Sequence, residues 1–524
     1  MNAPTLEVWN RLNLSEIPKL PRLNDYVRVF AGQSQSQLAA ADRDGFGLPV
    51  DRLTYRELQS RIEGVQELLI VHGVAAGDRV AVLSPPHSRA WVSFLATVRS
   101  GAVWLGLNPR YGATELEYIL TDATPKLILA WRGAAQAQLD ALKSSAPDAT
   151  LLWLDDVPSA AHQTPSKDFS EPDKPCLLVY TSGTTGDPKG ALLRQSGLVE
   201  CSRVQAHHYG QASGRVLNPL PMNHVGSICD TGTTTLVTGG AQVFMADFDP
   251  ADYIAAIEEE SITSLGGVPT MLQFLMAQPQ FSKADLSSVA RILWSGSPMP
   301  RPAGQALAAL GLPMHNFYGM TETTGSLTFT DPDAGLDELL ETVGRPHADY
   351  GVRIADAATD LPLEPGEVGE IQARSPGVLH SYLGRPEATK DAITKDGFYK
   401  TGDLGQFDAN GRLCLRGRAK EMFKSGGYNV YPAEIEAALE ELDEVEEAVV
   451  AAKSDPIFFE VGHAFLRIAP KSKLDPKDIK DRLDGRLANY KIPKSFEVVE
   501  EFPILPIGKV DRQALRRRAN SDTL

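Results

Sequence analysis

The chain has 524 residues, 43% hydrophobic and 23% charged, with a formal net charge of −16. That length supports roughly two to four domains with ample core. The acidic balance argues against a general nucleic-acid or anionic-membrane surface, though not against a local basic pocket for a small anion. Cys176, Cys201, Cys229 and Cys414 are scattered, with no C-x-x-C pair. A disulfide framework or zinc site is therefore disfavoured, and a reducing, cytoplasmic setting is expected. The first residues carry no basic region followed by an apolar core, so no signal peptide is expected. No run approaches the ~18 apolar residues that a membrane span needs. Asp522-Thr-Leu524 is not a peroxisomal address.

In chain order, Thr54-Tyr-Arg-Glu57 reads as a capping box. Leu58, Ile62, Val65 and Leu69 then recur at helical spacing, and Gly73 stops the helix. Arg79–Leu83 reads as a strand, Trp91–Val98 as a helix and Ala102–Leu107 as a strand. Pro158–Lys174 is polar and contains proline, which suits a surface connection. Cys176–Tyr180 is a short buried strand, Ala241–Phe244 a strand, Asp252–Glu259 a helix and Arg291–Trp294 a strand. This alternation indicates α/β layering. The texture changes near residue 420. Pro432 opens a helix with Ile435, Leu439 and Leu442 on one face and glutamates opposite. Ala448–Ala451 and Ala464–Ile468 read as strands, and Asp475–Leu487 as a helix. These features describe a small separate α+β domain, with Gly417-Arg-Ala-Lys420 as the junction.

The densest chemistry lies in Tyr180-Thr-Ser-Gly-Thr-Thr-Gly-Asp-Pro-Lys-Gly190. Glycines let the backbone approach an anion, and hydroxyls and N–H groups supply donors. Lys189 adds a point charge on a flexible stem. The spacing is not G-x-x-x-x-G-K-[ST], because Gly190 stands where a magnesium-binding hydroxyl would be. The loop suits a polyphosphate outside the Walker NTPases. The bland alternative is a solvated Gly/Thr loop between strands. Four further segments follow: Phe317-Tyr-Gly-Met-Thr-Glu-Thr-Thr-Gly325, Lys400-Thr-Gly-Asp-Leu404 with Gly417-Arg418, Lys424-Ser-Gly-Gly-Tyr-Asn429, and Pro506-Ile-Gly-Lys-Val-Asp-Arg512. Each alone is a weak signal: a core turn, a hairpin, or a solvated lysine.

In this order the motifs resemble the adenylate-forming superfamily, which holds acyl-CoA synthetases, peptide-synthetase adenylation domains and firefly luciferase. The resemblance runs from Tyr55 to Leu515, and the chain is similar to a stand-alone acyl-CoA ligase. It implies a large multilayered N-terminal domain, residues 1–419, with α/β sheets and a small β-barrel-like subdomain. A small mobile α+β domain, residues 420–524, follows. The implied reaction makes an acyl-adenylate from a fatty or aryl acid and ATP, then passes the acyl group to coenzyme A.

The resemblance also implies residue roles. Thr181, Ser182, Gly183, Thr184, Thr185, Gly186 and Lys189 grip the β- and γ-phosphates. Glu322 holds Mg²⁺, a hard cation suited to a carboxylate. Thr321 donates to the α-phosphate. Tyr318 stacks on adenine, with Asn316, Phe317, Gly319 and Gly296-Ser297-Pro298 around the nucleotide. Asp403 takes the ribose hydroxyls, supported by Arg418, and Lys509 bridges the attacking carboxylate and the α-phosphate. Lys420 is the hinge residue, and Lys424, Gly426, Gly427 and Tyr428 form the thiol loop. The acyl pocket comes from Met222–Asp230, Gly266–Met271 and Gly319–Ser326, with His224 as its gate and Gly267, Gly319 and Gly325 in its walls. Asp230 disfavours a second carboxylate if it faces that pocket.

Two motifs depart from the family pattern. Asn223 stands where an aromatic is usual, and Ile504-Leu505 replace a polar pair. Arg516-Arg-Arg518 reads as a solvated basic end. A carrier-protein thiol as acceptor, a luciferase-like oxygenation and a non-enzymatic nucleotide-binding regulator are the competing readings. The partners expected are the small-molecule acid, ATP and coenzyme A, with a homodimer left open.

Overall fold

In the computed structural model, the described residues are 12–34, 36–160, 167–181, 188–210, 214–426, 428–469, 476–484, 486–504 and 510–521. Two large sheets carry the first four-fifths of the chain. One has seven strands, of which Pro175–Thr181, Val103–Leu107, Arg79–Leu83, Leu127–Ala130 and Thr150–Trp153 run parallel. Antiparallel Lys189–Arg194 and Ser381–Tyr382 finish its other edge. The second sheet has nine strands, with a parallel centre of Met314–Met320, Arg291–Ser295, Ser264–Gly267, Arg215–Asn218, Ala241–Phe244 and Leu38–Asp42. Parallel strands covered on both faces read as continuous apolar runs. Val103–Leu107 and Leu127–Ala130 are accordingly buried at every position.

The expected capping box forms. Thr54 N donates to Glu57 Oε2 at 2.8 Å, and Glu57 N donates to Thr54 Oγ1 at 3.3 Å. Such a cap stabilises its helix by about 1 kcal/mol. Helix Tyr55–Val71 buries Leu58, Ile62, Val65 and Leu69, each worth about 1.5–3 kcal/mol. Gly73 follows at φ +76°, the left-handed turn that only glycine enters without strain.

The small β subdomain is a four-stranded antiparallel sheet of Gly351–Ala355, Gly369–Arg374, Tyr399–Phe407 and Leu413–Arg418. Beyond it, Tyr428–Val430, Phe423–Ser425, Phe459–Ile468 and Val445–Asp455 form an antiparallel run, and Ser495–Val498 adds parallel to Phe459–Ile468. Helix Pro432–Glu440 buries Ile435 and Leu439 against them. The apolar clusters drawn from residues up to Leu413 share no buried member with those that begin at Phe423.

Some expectations shift in detail. The connection before Lys174 is partly packed, since Phe169 N donates to Arg99 O and Ser170 is buried. The helix expected over 475–487 is Pro476–Leu483. The glutamates opposite Ile435 are not all solvated: Glu436 is buried and takes both Arg512 Nη atoms at 2.7 Å. Arg516 pairs with Glu460, and Arg518 with Glu497. That basic end is therefore ion-paired to the neighbouring strands.

Candidate active site

The phosphate-loop motif starts on strand Pro175–Thr181 and returns on Lys189–Arg194, so Thr181 and Lys189 stand opposite each other in register. Ser182, Gly183, Thr184, Thr185 and Gly186 lie outside the described residues. Strand Met314–Met320 runs into the short helical turn Thr321–Thr323, which is closed by Thr323 Oγ1 bonding Met320 and Gly325. This turn presents Glu322 back to the hairpin. Thr181 Oγ1 donates to Glu322 Oε1 at 3.2 Å. Tyr382 OH donates to the same oxygen at 3.2 Å and pairs with Tyr399 OH at 3.1 Å. Lys189 Nζ stands 5.3 Å from the centre of the Tyr382 ring, within cation–π range. Burial pushes the Glu322 carboxyl up, while its own backbone N–H, Thr181 and Tyr382 pull it down.

A second constellation joins residues expected at the base and the ribose. Tyr318 is buried, and its OH donates to Asp403 Oδ2 at 2.8 Å. Arg418 Nε lies 3.2 Å from Asp403 Oδ1, and the two residues are cross-strand partners. Burial opposes the Arg418 charge, but Asp403 and Glu421 outweigh it and hold its pKa above the ordinary value. Both carboxylate oxygens of Asp403 are thus engaged, one by Tyr318 and one by Arg418. Asn316 braces the strand from behind, its Nδ2 donating to Leu339 O and Thr342 O. Phe317 packs in the core beside Tyr209. Gly296, Ser297 and Pro298 are exposed just past strand Arg291–Ser295, whose Ser295 is paired with Phe317. Ligands of open parallel sheets bind outside such carboxyl ends.

Of the stretches expected to line the acyl pocket, the segment Gly226–Thr233 and strand Gly325–Phe329 are in contact. A Cβ on Gly319 would fall 2.1 Å from Gly325 O, so this position requires glycine. Gly267 ends strand Ser264–Gly267, against Met271. His224 accepts from Gly226 N through Nδ1 at 3.0 Å and sits just before the π-helical segment Gly226–Thr233. Asn223, in place of an aromatic, donates to Tyr111 OH at 2.8 Å.

The expected thiol loop is held from its own side. Gly426, at φ +57°, donates to Phe458 O at 3.1 Å. Tyr428 is exposed and stacks on Tyr490, with ring centres 4.5 Å apart. Lys424 and Lys420 are exposed, and Gly427 lies outside the described residues. So does Lys509, between Ile504 and Val510, which pair with each other.

Sequence reasoning passed over Tyr382 and Tyr399, although Ser381-Tyr-Leu-Gly-Arg385 repeats the aromatic-plus-glycine texture of the other motifs. A cavity of about 260 Å³ opens elsewhere, among Arg22, Arg28, Glu63, Arg99 and Lys167. None of the expected site residues lines it.

Comparison with known proteins gives the family. Residues 34–383 match the model of the AMP-binding enzyme family, and residues 434–509 match that of the AMP-binding enzyme C-terminal domain. A feruloyl-CoA synthase from Amycolatopsis sp is 35% identical over 482 residues, covering 89% of this chain and 94% of that protein. An indoleacetate–CoA ligase from Aromatoleum aromaticum is 33% identical, covering 90% and 94%. The crystal structure of ATP-bound MatB from Rhodopseudomonas palustris superposes with a TM-score of 0.87 at 29% identity, covering 96% of this chain and all of that one. The chain belongs to the AMP-binding enzyme family, as an AMP-forming acid–thiol ligase of the adenylate-forming superfamily.

Proposed function

We propose that this enzyme activates an aryl or fatty carboxylic acid with ATP and transfers the acyl group to coenzyme A. The observation that carries this reading is the junction at Glu322. A phosphate-loop hydroxyl, Thr181, and a phenol, Tyr382, converge on one carboxylate oxygen. The Tyr318–Asp403–Arg418 constellation supplies a diol acceptor within the same motif order.

In the first half-reaction the acid's carboxylate oxygen attacks the α-phosphorus, and the bond to the bridging oxygen of pyrophosphate breaks. Thr181 and Lys189, with the loop between them, hold the leaving pyrophosphate. Thr321 orients the α-phosphate. Lys509 neutralises charge between the attacking carboxylate and that phosphate. Catalysis here is positioning and electrostatics. In the second half-reaction the thiol attacks the acyl carbonyl, and AMP leaves.

A magnesium ion fits Glu322. Its Oε1 receives only neutral hydroxyls in the bonds described above, and no cluster of three metal-ligating side chains occurs among the described residues. One carboxylate plus substrate phosphates is an ordinary magnesium arrangement. When bound, the ion would neutralise phosphate charge.

The domain boundary falls at Lys420. The separation of apolar clusters between Leu413 and Phe423 supports it. Rotation about this exposed residue would withdraw Lys509 and bring Lys424, Gly426, Gly427 and Tyr428 to the acyl-adenylate. The names of the two relatives favour an aromatic acid. The four described cysteines are free and buried, which supports a reducing, cytoplasmic setting.

The test is product analysis with ATP, an acid panel, and either coenzyme A or a phosphopantetheinyl carrier protein. Thioester with coenzyme A, together with AMP and pyrophosphate, is expected. Thioester only on the carrier protein would overturn the choice of thiol.

A further inference from the structure

Asp230 stands in the π-helical segment Gly226–Thr233. Such i→i+5 turns are rare and recur at functional sites. Its Oδ1 is buried and accepts no hydrogen bond. The polar groups around it are engaged with one another. Gln205 Nε2 donates to Thr234 Oγ1 at 2.8 Å, and Gln205 Oε1 accepts from Ser326 N at 2.9 Å. Thr234 Oγ1 donates to Cys229 O at 2.9 Å. Burial pushes the Asp230 carboxyl up to about 7; the Gln205 amide lies close enough to lower it in part, but makes no hydrogen bond of good geometry to Oδ1. Buried acceptors in native proteins are nearly always satisfied, so this one calls for a partner.

What faces the oxygen is a glycine. A Cβ on Gly325 would fall 2.9 Å from Asp230 Oδ1 and 2.2 Å from Gln205 Oε1. Gly325 has φ +133°, a backbone that side chains rarely tolerate. It directly follows the turn that carries Thr321 and Glu322. The unsatisfied oxygen therefore lies where two walls of the proposed acyl pocket meet, beside a glycine that follows the Thr321–Thr323 turn.

We propose that Asp230 is a specificity-determining residue that accepts a hydrogen bond from a hydroxyl or N–H group on the body of the carboxylic acid substrate. This rests on the acyl-CoA ligase reading above. An acid with such a donor supplies what the fold withholds from Oδ1. An acid without one leaves a buried acceptor unpaired, the situation in which binding sites discriminate most strongly. A second carboxylate on the substrate would face the Asp230 carboxyl, and the two could not both stay ionised without cost.

The test uses matched acids that differ only in the donor: 4-hydroxycinnamate against cinnamate, indole-3-acetate against naphthalene-1-acetate, and 10-hydroxydecanoate against decanoate. Acid-dependent ATP–pyrophosphate exchange gives kcat/KM for the wild type, Asp230→Leu and Asp230→Asn. The wild type is expected to favour the donor-bearing acid in at least one pair by about 10- to 100-fold, the range of a hydrogen bond to a charged group. The ratio should collapse to near one in Asp230→Leu and persist in part in Asp230→Asn, whose amide oxygen still accepts. Because each ratio is taken within one protein, a loss of folded enzyme cancels. A wild type indifferent to the donor in every pair would overturn the proposal, as would Asp230→Leu keeping the wild-type ratio. No exchange with any acid would refute the ligase reading itself, and the proposal with it.

Discussion

Thr181 and Glu322 are 141 residues apart in the chain and 3.2 Å apart in the fold. The hydrogen bond between them joins the two large sheets, because Thr181 ends a strand of the seven-stranded sheet and Glu322 follows a strand of the nine-stranded one. On the proposed function, a polyphosphate gripped at Thr181 would be set beside the carboxylate suited to its metal.

Tyr382 makes that carboxylate's position testable. Tyr382→Phe removes the donor to Glu322 and the partner of Tyr399. A hydrogen bond of this kind contributes about 1 kcal/mol. The activation step should slow by about 5- to 10-fold at limiting Mg²⁺ and by less at saturation. A Mg²⁺ titration of pyrophosphate release reads this directly. An unchanged Mg²⁺ dependence would show that Tyr382 does not position Glu322.

Lys509 separates the half-reactions. Lys509→Ala is expected to lower acyl-adenylate formation by at least about 100-fold, as removal of a transition-state charge partner does. Thioester formation from pre-made acyl-adenylate should be largely spared. Single-turnover assays of the two halves measure both, and an equal loss in both would contradict the rotation about Lys420.

Glu440 gives the pH dependence of stability. Burial, then Glu436 and Glu447, raise its carboxyl to about 8, against the Ala448 N–H and Arg512. Its folded pKa thus exceeds the unfolded value of about 4.3. The stability that the protonated form contributes is complete below that value and is lost as pH rises toward 8. Glu440→Gln keeps the acceptor for Ala448 N, 3.0 Å away, and removes the ionisation. Its Tm should match the wild type near pH 4 and exceed it increasingly up to pH 8. A constant Tm difference across that range would contradict the assignment.

The scaffold was largely legible. The apolar run Cys176–Tyr180 and the Thr54/Glu57 cap are local signals, and the structure realises both as a buried strand and a capped helix. The order of Thr181, Tyr318, Glu322 and Asp403 was legible as motif, and two hydrogen bonds now join them in pairs. Tyr382 was not legible, because a two-residue strand has no periodicity and its partner Glu322 lies 60 positions away. Glu436 looked solvated because its cation, Arg512, comes 76 residues later. The direction of Asp230 was hidden by the π-helical turn, whose extra residue per turn breaks α-helical phasing.

The central claim is acid activation at the Glu322 junction. Its most direct test is ATP–pyrophosphate exchange with no thiol present, comparing wild type with Glu322→Gln. The account predicts exchange that requires both a carboxylic acid and Mg²⁺, and a fall of about 100- to 1,000-fold in the variant. Exchange independent of any acid, or undiminished in Glu322→Gln, would contradict it.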